Sequence, residues 1–455
     1  LGAESAEQAT PLVERAVAGL FRVCQRLLPY KEDTSEILLA SLQLVVGLPQ
    51  GSAWALAEVI ATDVLALVKS SGPYIRTEQD WRTIAALIRM TSVRPEAVPA
   101  AFEALSVACR DPAALSSESY MPLLETCLQL IDRYKGSHPE AAVRFLDCAD
   151  ALFTWLPAQN TSLNIANGGS GGGSTTNTTA TTTMSDEALV DLWLTSVGVM
   201  ARGLCREDVK ELRDTSIAAL HRTLIASAPL HLPAELWVQT TKELLIPLVS
   251  DLSKLAASPK AVKARPGLEK SVRLAVNMLT KVLLQYIPLM ASDRDFYALW
   301  NDALTALQSC MDIKQEAVME SVPENVKNLL MVLASSRVLV PGWSVEVGGE
   351  KRNLWELTWS KAGGISSGLN PGMLNAAGIT SREVEAAVGA VAPAVAAPAP
   401  IENGAAVAPQ PPAVPTPTTN TAPLPPPAAA VVEQQAPPAE QKQEEEEAPP
   451  ACKQS

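Results

Sequence analysis

Residues 206–224, REDVKELRDTSIAALHRTL, pack eight charged side chains and one of the chain's three histidines into nineteen positions. Such a density reads in two ways: a charged catalytic site with His221 as a base, or the wet side of a helix. On a period of 3.6 residues, Val209, Leu212, Ser216, Leu220 and Leu224 fall on one stripe. Lys210, Glu211, Asp214 and Arg222 project away from it, and the spacing of Lys210 and Asp214 predicts an i,i+4 ion pair. His221 borders the stripe beside Leu220. The segment is therefore expected to be a helix of a stacked array. Leu212, Arg213, Ser216, Ala219, Leu220 and Leu224 are similar to the second helix of a HEAT repeat, and that likeness implies that Arg213 ties neighbouring turns or repeats.

The same periodicity runs outward in both directions. EQATPLVERAVAGLFRVCQRLL, TEQDWRTIAALIRMTS, YMPLLETCLQLIDRYK and PEAAVRFLDCADALFTWL all place apolar residues three and four apart, with short Gly-, Pro-, Ser- or Asp-bearing breaks between them. A second block repeats the pattern from DEALVDLWLTSVGVMARGL to SVPENVKNLLMVLASSRVL. The last long helix is expected to open with a capping box from Ser321 to Glu324, with Pro323 in its first turn. No strand–helix alternation is visible. Apolar residues make up 47% of the 455 residues and aromatics only 4%, a core of Leu, Ala and Val that suits helices. The expected fold is all-α, an α-solenoid of helix pairs of HEAT, armadillo or tetratricopeptide kind.

Composition shifts divide the chain. Residues 1–160 form a helical-repeat block, 161–184 a Gly/Ser/Thr-rich flexible linker, and 185–361 a second helical block. Residues 362–455 are an Ala/Pro-rich acidic tail, expected to be mostly disordered because it cannot bury enough apolar surface to offset its ordering entropy. NGGSGGGSTTNTTATTT in the linker is no phosphate loop, since no Lys follows its glycines. The start, LGAESAEQATP, lacks an initiator Met, a basic n-region and an apolar h-region. The chain reads as a fragment without a secretory signal, and no membrane span is expected.

Function classes narrow on charge and on missing motifs. A formal charge of −13 disfavours a nonspecific grip on nucleic acid. Seven scattered cysteines (Cys24, Cys109, Cys127, Cys148, Cys205, Cys310, Cys452) never form a CxxC and read as buried free thiols in a reducing compartment. His138 and His231 sit in turns before helices, no HExxH or nucleophile elbow occurs, and Asp293 and Asp295 sit where helix-capping acids belong. No catalytic residue, metal site or cofactor is expected. The notable cationic run is SPKAVKARPGLEKSVR, with Lys260, Lys263, Arg265, Lys270 and Arg273 as a patch for anionic lipid or an acidic partner.

Several stretches resemble, in order, the C-terminal region of large Arf guanine-nucleotide exchange factors of the GNOM / Golgi brefeldin-A-resistance-factor type. They are LLPYKED (27–33), WRTIAALIRMTSVRPEA (81–97), LWVQTTKELLIPLVSDL (236–252), MLTKVLLQYIPLM (278–290), FYALWNDAL (296–304), ESVPENVKNLLMVL (320–333) and LWELTW (354–359). The resemblance spans about residues 20–361 and implies helical domains downstream of the exchange domain, which has no counterpart here. It implies a regulatory and targeting role in Golgi and vesicle-mediated transport, carried out by a cytoplasmic protein peripherally associated with Golgi or early secretory membranes. The partners it implies are other domains of the exchange factor and Arf-pathway or Golgi proteins. A free-standing helical-repeat scaffold without exchange activity is the second reading.

Overall fold

The computed structural model describes residues 3–30, 34–167, 186–347 and 349–376. The first block begins with α1 (Ala3–Leu27), α2 (Ser35–Ser41), α3 (Gln43–Val46), α4 (Gln50–Ala55) and α5 (Ala57–Ser71). It continues through α6 (Glu78–Thr91), α7 (Val98–Arg110), α8 (Ser117–Tyr134) and α9 (Pro139–Asn167). The second block holds α10 (Asp186–Arg202), α11 (Lys210–Ala226), α12 (Ala234–Thr240), α13 (Ile246–Ala257), α14 (Pro259–Ala264) and α15 (Leu268–Met290). It closes with α16 (Phe296–Ser309), α17 (Glu316–Ser335), α18 (Leu354–Ile365) and α19 (Gly372–Ala376).

These helices stack in two layers. One is the succession α1, α5, α7, α9, α11, α15 and α17, each packed on the next. The other runs along α6, α8 and α10, then α12–α13, α16 and α18. Paired helices close the gap between layers, as α8 does on α9 and α13 on α15. This is an all-α helical-repeat solenoid, and the apolar stripes read from the sequence face its interior. Trp81, Trp193, Trp237 and Trp300 are all fully buried, each with its indole N–H satisfied or its ring stacked. Trp193 donates to Ser227 Oγ at 2.7 Å and meets Trp237 edge-on, and Trp237 stacks on Tyr286 with centroids 3.6 Å apart. One aromatic stack thus joins α10, α12 and α15.

Local sequence sets many of the breaks. Thr77 caps α6 by accepting from the Asp80 N–H, Ser116 and Ser119 form a reciprocal box on α8, and Asn353 caps α18. Gly267, with φ +73°, turns the chain into α15. The Lys210 side chain covers that glycine so closely that a Cβ there would lie 2.7 Å from its Cε. Between α12 and α13 a π-turn spans Thr241–Leu245. Its wider winding lies just before Pro247, where it relieves the clash of the proline ring with the preceding turn.

Two sequence expectations need correction. The capping box at Ser321 and Glu324 does not exist: α17 already begins at Glu316, so Pro323 lies inside it. The Asn325 side chain donates to the Ser321 carbonyl at 2.8 Å, and Glu324 pairs instead with Lys327. A two-stranded antiparallel hairpin was also missed: Ser344–Val347 pairs with Glu350–Asn353. Each strand spans only four residues, too short for an alternation signal. Gly349 takes φ +84° at its turn, and Trp343 anchors it against Phe296 and Trp300. By length and composition Glu187–Arg206 could cross a bilayer. Its residues Leu189, Trp193, Val197, Met200 and Ala201 are buried in the array, the environment of a core helix.

The domain boundaries fall as follows. α9 continues to Asn167, past the expected linker start at 161, and residues 168–185 lie outside the described residues. The expected boundary at 361 falls inside α18, and beyond it Leu369 and Leu374 are buried. Residues 377–455, most of the expected tail and its Cys452, lie outside the described residues.

Candidate functional site

In the structure, 206–224 is the turn before α11 and most of α11 itself. Leu212, Ser216, Leu220 and Leu224 are fully buried as the stripe requires. Arg213 is buried too, at 1% exposure, and it fans out over two helices. Its Nε–H donates to Ser271 Oγ at 2.8 Å, Nη1 to the Glu207 and Asp208 carbonyls at 2.9 and 3.1 Å, and Nη2 to the Pro266 carbonyl at 2.8 Å. The guanidinium therefore ties α11 to the start of α15, as the HEAT-like pattern implied. Burial lowers its pKa, and the Asp214 charge opposes that shift.

Asp214 departs from expectation. It does not project into solvent or pair with Lys210; it is buried, accepts from Ser271 Oγ at 2.6 Å and pairs with Lys270 at 3.2 Å. Arg213, Ser271, Asp214 and Lys270 thus form one buried-to-surface polar chain. Such a chain is structural, since a buried charge requires a partner.

His221 borders the stripe as expected. It is half-buried, and its Nε2 has no hydrogen-bond partner among the described residues. Burial, then the Lys281 and Arg222 charges, lowers its pKa, so the ring is neutral at pH 7. Among the described residues no carboxylate bonds it, the contact that would orient a catalytic base. It lines an open cleft of about 790 Å³ with Thr154 on α9, Arg222, Ile225 and Ala226 on α11, and Lys281, Leu284 and Gln285 on α15. Arg222 reaches across the layer to Asp150 on α9 at 2.7 Å. This cleft joins residues far apart in sequence, and no local spacing signals it.

Of the five residues of the cationic run, two pair with acidic side chains and two line one cleft together. Arg265 pairs with Asp208 at 2.5 Å and Lys270 with Asp214, so both serve the joint around Arg213. Lys260 and Lys263 lie exposed on α14, without an ion-pair partner among the described residues. With Lys270, Leu274, Asn277, Ser321 and Asn325, Arg273 lines a second cleft of about 360 Å³ between α15 and α17.

The remaining candidates are scattered. His138 precedes α9 with Nδ1 3.7 Å from Glu140, and His231 takes a left-handed φ of 49° before α12. Asp293 accepts from the Asp295 N–H at 2.8 Å, while Asp295 occupies the N-cap of α16 without a side-chain bond. Of the expected pair, Asp293 organises the turn. Cys24, Cys109, Cys127, Cys148, Cys205 and Cys310 are buried and free. Burial pushes the Cys24 and Cys310 thiols up to about 11 and Cys148 to about 12. Among the described residues no three His, Cys, Asp or Glu side chains gather as a metal cluster.

Residues 193–369 match the family described as the GBF1-like tetratrico peptide repeat region. The chain is 30% identical over 376 residues to the ARF guanine-nucleotide exchange factor GNOM of Arabidopsis thaliana, covering 81% of this chain and 24% of that protein. It is likewise 30% identical over 363 residues to GNL1 of the same plant, covering 79% of this chain and 24% of GNL1. To GNL2 it is 20% identical over 377 residues. The chain thus spans about a quarter of the length of these curated relatives. No solved structure matches it.

Proposed function

We propose that this chain, a GBF1/GNOM-type helical region related to Arf exchange factors, is a regulatory and targeting scaffold rather than a site of catalysis. In this reading it helps bring an exchange factor to Golgi or early secretory membranes and binds proteins along its helical layers, in vesicle-mediated transport. Nucleotide exchange on Arf belongs to another part of the polypeptide.

The observation that carries the reading is how the polar groups are used. Arg213, Asp214, Ser271 and Lys270 are consumed in holding helices together, while Lys260 and Lys263 are exposed on α14 and have no ion-pair partner among the described residues. Stacked helices offer long surfaces for partners and need no chemical pocket. Two exposed lysines supply about 1 kcal/mol each toward an anionic membrane surface, enough to assist other contacts but not to anchor alone.

A fluorescent fusion of the full chain tests this. The expected result is enrichment on Golgi or early secretory membranes, reduced toward a cytosolic distribution by Lys260→Glu with Lys263→Glu. A wild-type fusion spread evenly through the cytosol contradicts the reading.

A further inference from the structure

The two clefts flank the same helix. Arg273, Asn277, Lys281 and Gln285 recur every fourth residue on α15, so they form one ridge along its outer side. The larger cleft opens between the C-terminal half of this helix and α11, and the smaller one between its N-terminal half and α17. Fourteen residues line the two, and none of them is Asp or Glu. Four are Lys or Arg and one is His221. In a chain with 49 acidic residues against 36 basic ones, a strip free of carboxylates selects for anionic ligands.

Two of the four cations are already engaged, Arg222 with Asp150 and Lys270 with Asp214. Arg273 and Lys281 are exposed and have no ion-pair partner among the described residues. Between and beside them the surface is apolar: Leu274 in one cleft, and Ile225, Ala226 and Leu284 in the other. Leu289, 42% exposed, lies two helical turns beyond Lys281 on the same helix. The larger cleft has room for more than one bulky side chain. Ile225 and Leu284 are half-buried between the helices, within reach of a protruding side chain from a bound segment. That geometry favours a peptide over a membrane.

We propose that the α15 ridge and its two clefts bind an acidic peptide segment of a partner protein. Carboxylates pair with Arg273 and Lys281, and a bulky apolar side chain enters the cleft of Ile225 and Leu284. The inference rests on the scaffold reading above and names the surface and the partner chemistry within it. It is separate from the membrane contact, which uses Lys260 and Lys263.

Panning a random peptide library displayed on phage against the full chain, followed by fluorescence anisotropy of the selected peptides, tests it. The expected peptides carry Asp or Glu within a helical turn of Leu, Ile, Phe, Met or Trp. Their affinity falls about tenfold or more in Arg273→Glu with Lys281→Glu, in line with the loss of two charge contacts. Arg273→Lys with Lys281→Arg retains binding, as does Lys260→Glu with Lys263→Glu. Both charge reversals lie on exposed positions, and circular dichroism checks that each variant keeps the wild-type helicity. Selection of neutral or basic peptides, or of none, overturns the proposal. So does equal affinity in the charge-reversed variant, or dependence of phosphatidylserine-vesicle binding on Arg273 and Lys281 without peptide binding. Should the peptide result fail while the fusion still reaches Golgi membranes, only this surface is rejected; a cytosolic fusion rejects the scaffold reading itself.

Discussion

Replacing Arg213 by leucine is expected to destabilise the array by about 3–5 kcal/mol, the range for removing one partner of a buried charged network. The figure follows from what the side chain holds. Four donated bonds disappear, to three backbone carbonyls and to Ser271 Oγ, at distances from 2.8 to 3.1 Å. Asp214, itself buried, keeps only Ser271 and the half-exposed Lys270 to balance its charge. Leucine restores part of the packing but satisfies none of the carbonyls. Arg213→Lys is expected to lose much of the same stability, because an ammonium cannot span carbonyls on both sides of the helix joint as the planar fork does. Urea unfolding of the full chain, followed at 222 nm by circular dichroism, reads the loss. A cycle with Asp214→Asn completes the test: the double variant is expected to recover about 1 kcal/mol or more relative to the sum of the singles. A loss below about 1 kcal/mol for Arg213→Leu, or strict additivity, refutes the assignment of this residue as the tie between α11 and α15.

Three further outcomes follow from buried groups. Trp237→Ala removes the ring that stacks on Tyr286 and meets Trp193, and is expected to cost about 3–5 kcal/mol and to collapse the near-ultraviolet circular dichroism of the aromatic stack. In a Cys452→Ser background, the six buried thiols are expected to resist iodoacetamide at neutral pH and to react together in urea; rapid labelling of the folded chain contradicts their burial. His221 holds its proton less readily folded than unfolded, so the unfolded chain takes up the proton first as pH falls below the ordinary value of 6.5. Its contribution to stability is complete above that pH and is lost on acidification toward the lowered pKa. The urea midpoint of His221→Gln is therefore expected to depend less steeply on pH between 5.5 and 7 than that of the wild type.

Much of this architecture is legible in the sequence because stacked helices repeat a local signal. Leu212, Leu220 and Leu224 face inward as their spacing dictates, and Arg213 does what a HEAT-like pattern implies. The failures share a cause: each trusted local spacing where a tertiary contact decides. Lys210 and Asp214 have the spacing of an ion pair, yet Asp214 turns inward to Ser271 and Lys270, which lie more than fifty residues on. Ser321 and Glu324 have the spacing of a capping box, yet Val318, fully buried, holds the preceding turn in the helix. The residues of the cationic run lie close in sequence. Lys260 and Lys263 stand on α14, before the bend at Gly267; beyond it Arg273 and Lys270 line the α15–α17 cleft, and Arg265 and Lys270 also pair with Asp208 and Asp214. The cleft around His221 is built from three helices and has no local signature at all.

The central claim is that this chain works through separate exposed surfaces on a helical array. Flotation of the full chain with phosphatidylserine-containing liposomes tests it most directly, comparing wild type, Lys260→Glu with Lys263→Glu, and Arg273→Glu with Lys281→Glu. The account predicts that the wild type and the Arg273/Lys281 variant float alike while the Lys260/Lys263 variant floats less than either. Equal flotation of all three, or release only of the Arg273/Lys281 variant, contradicts it.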